Sequence, residues 1–465
     1  MKFRISALLA IAAFAVVVLA CSLLPAQAQF SQQGPKLVGT NAIGPASQGR
    51  SVSISHDGNT AITGGYGDNG EAGAAWVFTR SGVGVWSQQA KLVGTDAIGA
   101  ALQGISVALS GDGESAIVGG YADNNLAGAA WVYTRSSAGV WSQQAKLVGT
   151  DAIGNAFQGF SVSISSDGNT AIVGALDDNS GAGAAWVFTR LGTLWSQQAK
   201  LVGTGAIGNA QQGSSVSLSG DGNTAIVGGP DDAGTGAAWV FTRSDAGVWR
   251  QQAKLVGTGV VGFAVQGVSV SLSGDGNTAI VGGPDDNNFA GAAWVFSRSG
   301  GLWSQQGAKL VGTGAIGIFV EQGGSVSLSD DGNTAIVGGQ GDNGNTGLGV
   351  GAAWLYTRSG GLWNQQGAKL VGTGNVGNSG QGAAVAIASD GNTAIVGGPG
   401  DSNGAGAVWV YSQPVFAGTP GNANCYGRSV SALALQYGGL NAAAAASGFS
   451  GVGALQNAIL TFCGA

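Results

Sequence analysis

The sequence predicts an all-β fold, a seven-bladed β-propeller of four-stranded antiparallel blades, and three sevenfold recurrences predict it. Lys-Leu-Val-Gly-Thr or its equivalent starts at Lys36, Lys91, Lys146, Lys200, Lys254, Lys309 and Lys369. An Asp-Gly turn sits at Asp57, Asp112, Asp167, Asp221, Asp275, Asp331 and Asp390. A Trp opens a strand at Trp76, Trp131, Trp186, Trp239, Trp294, Trp354 and Trp409. The spacing of 54 to 60 residues suits four short strands with their turns, the unit of a propeller blade.

Within one unit the strands follow from period-two alternation bounded by turn residues. In the fourth copy they fall at 215–219, 224–229, 236–243 and 249–257. The Gly220-Asp221-Gly222-Asn223 link is hairpin chemistry, because Gly, Asp and Asn tolerate positive φ. The last strand alternates polar and apolar residues, which suits an outer edge where Lys discourages pairing with another chain. The last copy ends after its third strand near Tyr411. Residues 30–39 match a fourth strand, with Phe30 in the place of Trp, so the N-terminus is predicted to supply the missing strand and close the ring.

The remaining segments divide the chain into 1–28, 29–412, 413–424 and 425–465. Lys2 and Arg4, an apolar run over 5–24 and Ala26-Gln27-Ala28 have the plan of a secretory signal cleaved after Ala28; Leu19-Ala20-Cys21 offers a lipoprotein site as the minor alternative. The chain is therefore expected to be exported, to the periplasm, the cell surface or the medium, with no membrane span in the mature chain. Pro414, Gly418, Pro420 and Gly421 mark a linker. Beyond it, 429–437, 440–447 and 452–462 read as short helices, with Leu433 and Tyr437, and Leu455 and Ile459, sharing helix faces. Once the leader is removed, Cys425 and Cys463 are an even pair in an exported chain and are expected to form one disulfide that staples this small segment.

At this point the copies QGSSVSLSGDGNTAIVGGPDDAGTGAAWVF and QGFSVSISSDGNTAIVGALDDNSGAGAAWVF resemble FG-GAP repeats, as in integrin α-subunit propellers. The resemblance covers residues 30–412 and implies a seven-bladed propeller in an extracellular setting with a role in adhesion or binding. Two departures matter. The Phe-Gly of the family is Gln-Gly here, as at Gln212-Gly213 and Gln266-Gly267. The family's calcium loop keeps one carboxylate per copy: alignment on Asp221-Gly222 puts Ser217, Ser219 and Ala225 at the other ligand positions, and the last of these is Ala in every copy. Calcium takes six to eight oxygens, so no calcium and no other cofactor is expected. The C-terminal stretch NCYGRSVSALALQYGGLNAAAAASGF looks like a small tail module of exported proteins from Gram-negative soil bacteria.

Charge and composition then bound the function. A net charge of −6 argues against nucleic acid, which needs a basic stripe. The 13 Trp are all repeat positions; exposed, they would suggest sugar stacking, but packing between blades is the expectation. Successive turns alternate between the two ends of the ring. One end collects Asp68, Asp123, Asp177, Asp178, Asp231, Asp232, Asp285, Asp286, Asp342 and Asp401, with Asp96, Asp151, Glu71 and Glu321, against Arg50 as its base. The other end balances its Asp-Gly turns with Arg80, Arg135, Arg190, Arg243, Arg298 and Arg358. The ten Asp are the candidate binding residues.

The reading that follows is a monomeric, non-enzymatic exported scaffold for binding or adhesion, presenting one acidic face to a protein partner. A carbohydrate-binding propeller is the alternative, and a glycoside-acting hydrolase a more distant one. His56, the single histidine, stands beside a turn where other copies have Ser, Gly or Asp and reads as a surface substitution rather than a base. No His/Cys cluster for zinc is present.

Overall fold

The computed structural model describes residues 30–464 apart from 83, 345–347, 414–415, 417–420, 438, 447–448 and 450. The leader and its cleavage site lie outside the described residues. The described chain forms two compact units, one spanning Gln32–Ser412 and a small one containing the C-terminal segment.

The larger unit is a seven-bladed propeller, each blade a four-stranded antiparallel sheet in sequential order. In the fourth blade the strands are Ser215–Leu218, Thr224–Gly229, Ala237–Arg243 and Trp249–Leu255. Val216 stands opposite Val227, and Val227 opposite Trp239, so the alternation puts one apolar face on each neighbouring blade. In the seventh blade Ser31–Gln32 pairs with Ala407–Ser412, followed by Thr393–Gly398 and Ala384–Ile387. Leu37 continues the pairing at Val408. The ring is closed by the N-terminal strand, as the incomplete last copy requires. In blades five and six the outer strand stops early, at Gln305 and Gln365. One residue is inserted there, and Gly307 and Gly367 take φ of 74° and 68°, a left-handed turn that breaks the ladder.

The core lies between blades. Trp239 packs with Ile172, Val187 and Leu201 of blade three and with Val216, Leu218 and Val227 of its own blade. All seven third-strand Trp are fully buried, each worth roughly 4–6 kcal/mol of gross apolar burial. The Trp therefore weld blades together, as expected from their repetition.

A strap between consecutive blades holds each indole from the other side. Gly203, in the Leu-Val-Gly-Thr strap, lies against Trp239, and a Cβ there would come within 2.3 Å of the ring. The Gln that replaces the family's Phe secures this strap: Gln212 Oε1 accepts from Gly203 N at 2.5 Å and its Nε2 donates to Gly203 O at 3.0 Å. The same double hydrogen bond recurs from Gln48 to Gly39 and from Gln381 to Gly372. Because these glutamines are buried, pairing both ends of the amide is what makes their burial tolerable.

The C-terminal unit contains helices Cys425–Tyr437, Leu440–Ala446 and Val452–Cys463. Its small core is Leu433, Ala443, Ala444, Leu455 and Ile459. The disulfide Cys425–Cys463, with Cα atoms 5.7 Å apart, joins the start of the first helix to the end of the last. A segment this short has little surface to bury, and the cross-link compensates by restricting its unfolded chain.

Candidate functional site

The link between the second and third strands is where the sequence places the exposed acids. Seven of the ten, Asp68, Asp123, Asp178, Asp232, Asp286, Asp342 and Asp401, have side chains only 1–3% exposed. Each follows one pattern. Asp232 Oδ1 accepts from the backbone N–H of Ile207 at 2.7 Å, and its Oδ2 meets Lys254 Nζ at 2.6 Å. Equivalent ion pairs are Lys91–Asp68, Lys146–Asp123 and Lys200–Asp178, each at 2.7 Å, Lys369–Asp342 at 2.5 Å, and Lys309–Asp286 and Lys36–Asp401. In blades one to five the ammonium also lies over the buried indole, as with Lys200 4.8 Å from the centre of Trp186. The repeat's own Lys is thus the counter-ion of the repeat's own Asp. Assigning Arg50 as the base of this end overlooked those lysines, because strand alternation says which face a Lys takes but not that its long stem folds back over a Trp. These seven carboxylates hold link, outer strand and core together, beneath the surface. Asp177, Asp231 and Asp285 remain accessible, Asp231 accepting from Gln211 Nε2 at 2.6 Å.

The Asp-Gly turns at the other end are likewise self-contained. Asp221 accepts from Ser219 Oγ at 2.6 Å, Asn223 N at 2.9 Å and Asn223 Nδ2 at 3.0 Å. Burial alone would raise its pKa, but those bonds and the nearby Arg243 charge bring it below the usual carboxylate value. Asp57, Asp167, Asp275 and Asp331 behave in the same way.

Against this uniformity, three positions per copy vary at the axial opening where the blade-to-blade links enter. The residue after Gln-Gly is Arg50, Ile105, Phe160, Ser214, Val268, Gly324 or Ala383. The residue before Gln-Gly is Ser47, Leu102, Phe157, Gln211, Val265, Glu321 or Gly380, and six of these seven carry a side chain at φ between 47° and 62°. That conformation favours Gly, and side chains held in it concentrate at binding sites. The residue after the second strand is Tyr66, Tyr121, Leu176, Pro230, Pro284, Gln340 or Pro399.

The opening has two chemically different sectors. On one side Tyr121 lies 5.4 Å from Phe157 and 5.6 Å from Phe160, ring centre to ring centre, and all three are partly exposed. In the other sector a cavity of about 260 Å³ is lined by Arg50, Pro284, Asp285, Glu321 and Gln340 among others. Gln340 Nε2 donates to Glu321 Oε2 at 2.8 Å. Burial, and then the Glu321 charge, push the Asp285 carboxyl above its usual range, which marks two carboxylates sharing one site. Of the residues at this opening, the sequence singled out Asp285, Glu321 and Arg50 by charge. Gln340 and the three aromatics were missed, and the available signal was that they occupy positions where the copies disagree.

Seven sequential four-stranded blades around one axis define the class, a β-propeller. More particularly, residues 86–133, 141–188 and 195–241 match the FG-GAP repeat, and these stretches lie within the propeller described above. No curated protein matches this chain in sequence. The solved structure of a periplasmic gluconolactonase, PpgL of Pseudomonas aeruginosa, is similar at 16% identity with a TM-score of 0.47, over 69% of this chain and 85% of that one. The expectation of an adhesion scaffold presenting an acidic face is withdrawn: seven of the ten carboxylates that face relied on are buried in ion pairs. Among the described residues no helix is long and apolar enough to cross a membrane.

Proposed function

We propose that the propeller binds a carbohydrate at its axial opening, with the aromatic sector stacking on a sugar ring and the polar sector engaging its hydroxyls. The observation that carries this reading is the juxtaposition, around one axis, of Tyr121, Phe157 and Phe160 with Arg50, Asp285, Glu321 and Gln340, all at positions where otherwise near-identical copies diverge. Vicinal hydroxyls donate to carboxylates and accept from guanidinium and amide groups, while apolar sugar faces pack on aromatic rings. The 13 Trp do not serve this purpose: those of the third strands are buried, and outer ones such as Trp249 have Arg243 over the ring at 5.5 Å. Export, read from the leader, supports a setting in which polysaccharide is encountered.

The test is a glycan array followed by calorimetric titration with the sugars retained, on the full chain and on Phe160→Ser and Asp285→Asn. Both substitutions are expected to weaken binding at least tenfold. Binding unchanged in both would overturn the reading. Hydrolysis of the bound glycoside is the second reading, favoured by two carboxyl groups, Asp285 and Glu321, lining one cavity; reducing-sugar release lost in Asp285→Asn with binding kept would select it.

A further inference from the structure

The opposite axial opening holds a second group of divergent residues. The positions preceding the Asp-Gly turns carry His56, Gly111, Ser166, Gly220, Gly274, Asp330 and Ser389. Their backbones run round the axis: His56 N donates to Gly111 O, Gly111 N to Ser166 O and Ser166 N to Gly220 O, each at 2.9 Å. Gly220 N continues to Gly274 O at 2.8 Å, Gly274 N to Asp330 O at 2.9 Å and Asp330 N to Ser389 O at 3.2 Å. This belt fixes the Cα positions of residues far apart in sequence and leaves their side chains to meet.

Three of them do. Ser166 Oγ lies 3.2 Å from His56 Nε2, and His56 Nδ1 lies 3.2 Å from Asp330 Oδ2. Ser389 Oγ donates to the same Asp330 oxygen at 2.7 Å, which helps fix the carboxylate. The intervening glycines provide the space. A Cβ at Gly111 would stand 2.8 Å from the His56 ring, one at Gly220 2.8 Å from Ser166 Oγ, and one at Gly274 2.9 Å from Asp330 Cγ. The lone histidine, read from sequence as a surface substitution, is the bridge between a hydroxyl and a carboxylate. The side chains of His56 and Asp330 are 39% and 37% exposed, so a substrate can reach them.

We propose that Ser166, His56 and Asp330 form a nucleophilic hydrolytic site for carboxylic esters, at the end of the axis away from the carbohydrate opening and independent of that reading. With Nδ1–H directed at Asp330, Nε2 is the acceptor for the Ser166 proton. Ser166 Oγ forms a bond to the acyl carbon as its proton passes to His56 Nε2. The tetrahedral adduct then expels the alcohol, which takes that proton. Water, deprotonated by His56, displaces the acyl group from Ser166 and releases the carboxylic acid, restoring the serine. Asp330 is the positioning residue: it holds the imidazole in the tautomer and orientation the transfer needs.

Other copies show which substitutions the belt accepts, since Gly and Ser both occupy this position elsewhere in the ring. The experiment treats the full chain with a fluorophosphonate probe, identifies the modified peptide by mass, and follows p-nitrophenyl acetate hydrolysis, with near-UV circular dichroism confirming the fold. Labelling at Ser166 is expected, absent in Ser166→Gly and slowed about 100-fold or more in His56→Ser. Asp330→Asn is expected to slow it and to displace the acid limb of its pH profile, which a merely structural Asp330 would leave in place. A folded native chain that is not labelled at Ser166, labelling indifferent to His56→Ser, or ester hydrolysis unchanged in Ser166→Gly would each overturn the proposal.

Discussion

The blade interfaces and the axis of this propeller follow opposite rules. At the interfaces, seven copies repeat the same Trp, the same Gly strap, the same Gln clasp and the same Lys–Asp pair. At the axis, no two copies agree across the three divergent positions of one opening, and the seven-residue belt at the other mixes His, Ser, Asp and Gly. A ring must bury the same area at every interface to close, so the residues that hold it together are bound to the symmetry. A ligand on the axis meets all blades at once and has no such symmetry, so recognition requires the copies to differ. The comparison predicts that interface substitutions alter stability and axial ones alter chemistry.

The largest effect should come from the interface core. Trp239→Ala removes a fully buried side chain between two blades and is expected to lower the unfolding free energy by about 3–5 kcal/mol, read as a fall in the denaturation midpoint. Lys254→Ala comes next. It leaves Asp232, 2% exposed, without its counter-ion, and loss of one partner of a buried pair costs about 3 kcal/mol or more. Restoration by Asp232→Asn in the same chain would identify the stranded charge, rather than lost packing over Trp239, as the cause. If Lys254→Ala were neutral, the acidic end would be an open charged face after all.

How much of this the sequence showed follows the same division. Repetition made the seven blades, the ring closure through residues 30–39 and the buried Trp legible, because each is a property of one unit copied. The Asp were visible too, but not their burial: Asp232 and Asp231 are adjacent, and only the left-handed turn at Ala233, with φ of 50°, directs one inward to Lys254 and leaves the other at the surface. His56 was the hardest to read. Its partners, Ser166 and Asp330, lie 110 and 274 residues away, and nothing local distinguishes it from a turn substitution until the belt brings them together.

Acid should produce a smaller, graded loss. Asp57, Asp167, Asp221, Asp275 and Asp331 have folded-state pKa values below their ordinary one. A depressed carboxylate contributes stability that is fully present above the unfolded value near about 3.9 and is lost as pH falls through the folded value. Thermal midpoints should therefore fall progressively below that pH. Asp221→Asn should flatten part of the decline, because the neutral amide takes no proton there. Asp285 has the opposite sign: its raised pKa is a cost at neutral pH that protonation relieves, so Asp285→Asn should hold or slightly raise the midpoint at pH 7.

The smallest effect on stability, and the sharpest test of the division, is expected at Phe160. The next copy carries Ser214 at the same position on the same backbone, so Phe160→Ser introduces a residue the blade already accommodates. The partly exposed ring gives up its contact with Tyr121 at 5.6 Å and no core contact, and the expected change in unfolding free energy is within about 0.5–1 kcal/mol. Its effect on sugar affinity, expected to exceed tenfold, would then be separated from folding in a single variant. A midpoint drop comparable to that of Trp239→Ala would mean that the aromatic sector is an extension of the blade core, and the axis would lose its claim to be exempt from the symmetry of the ring.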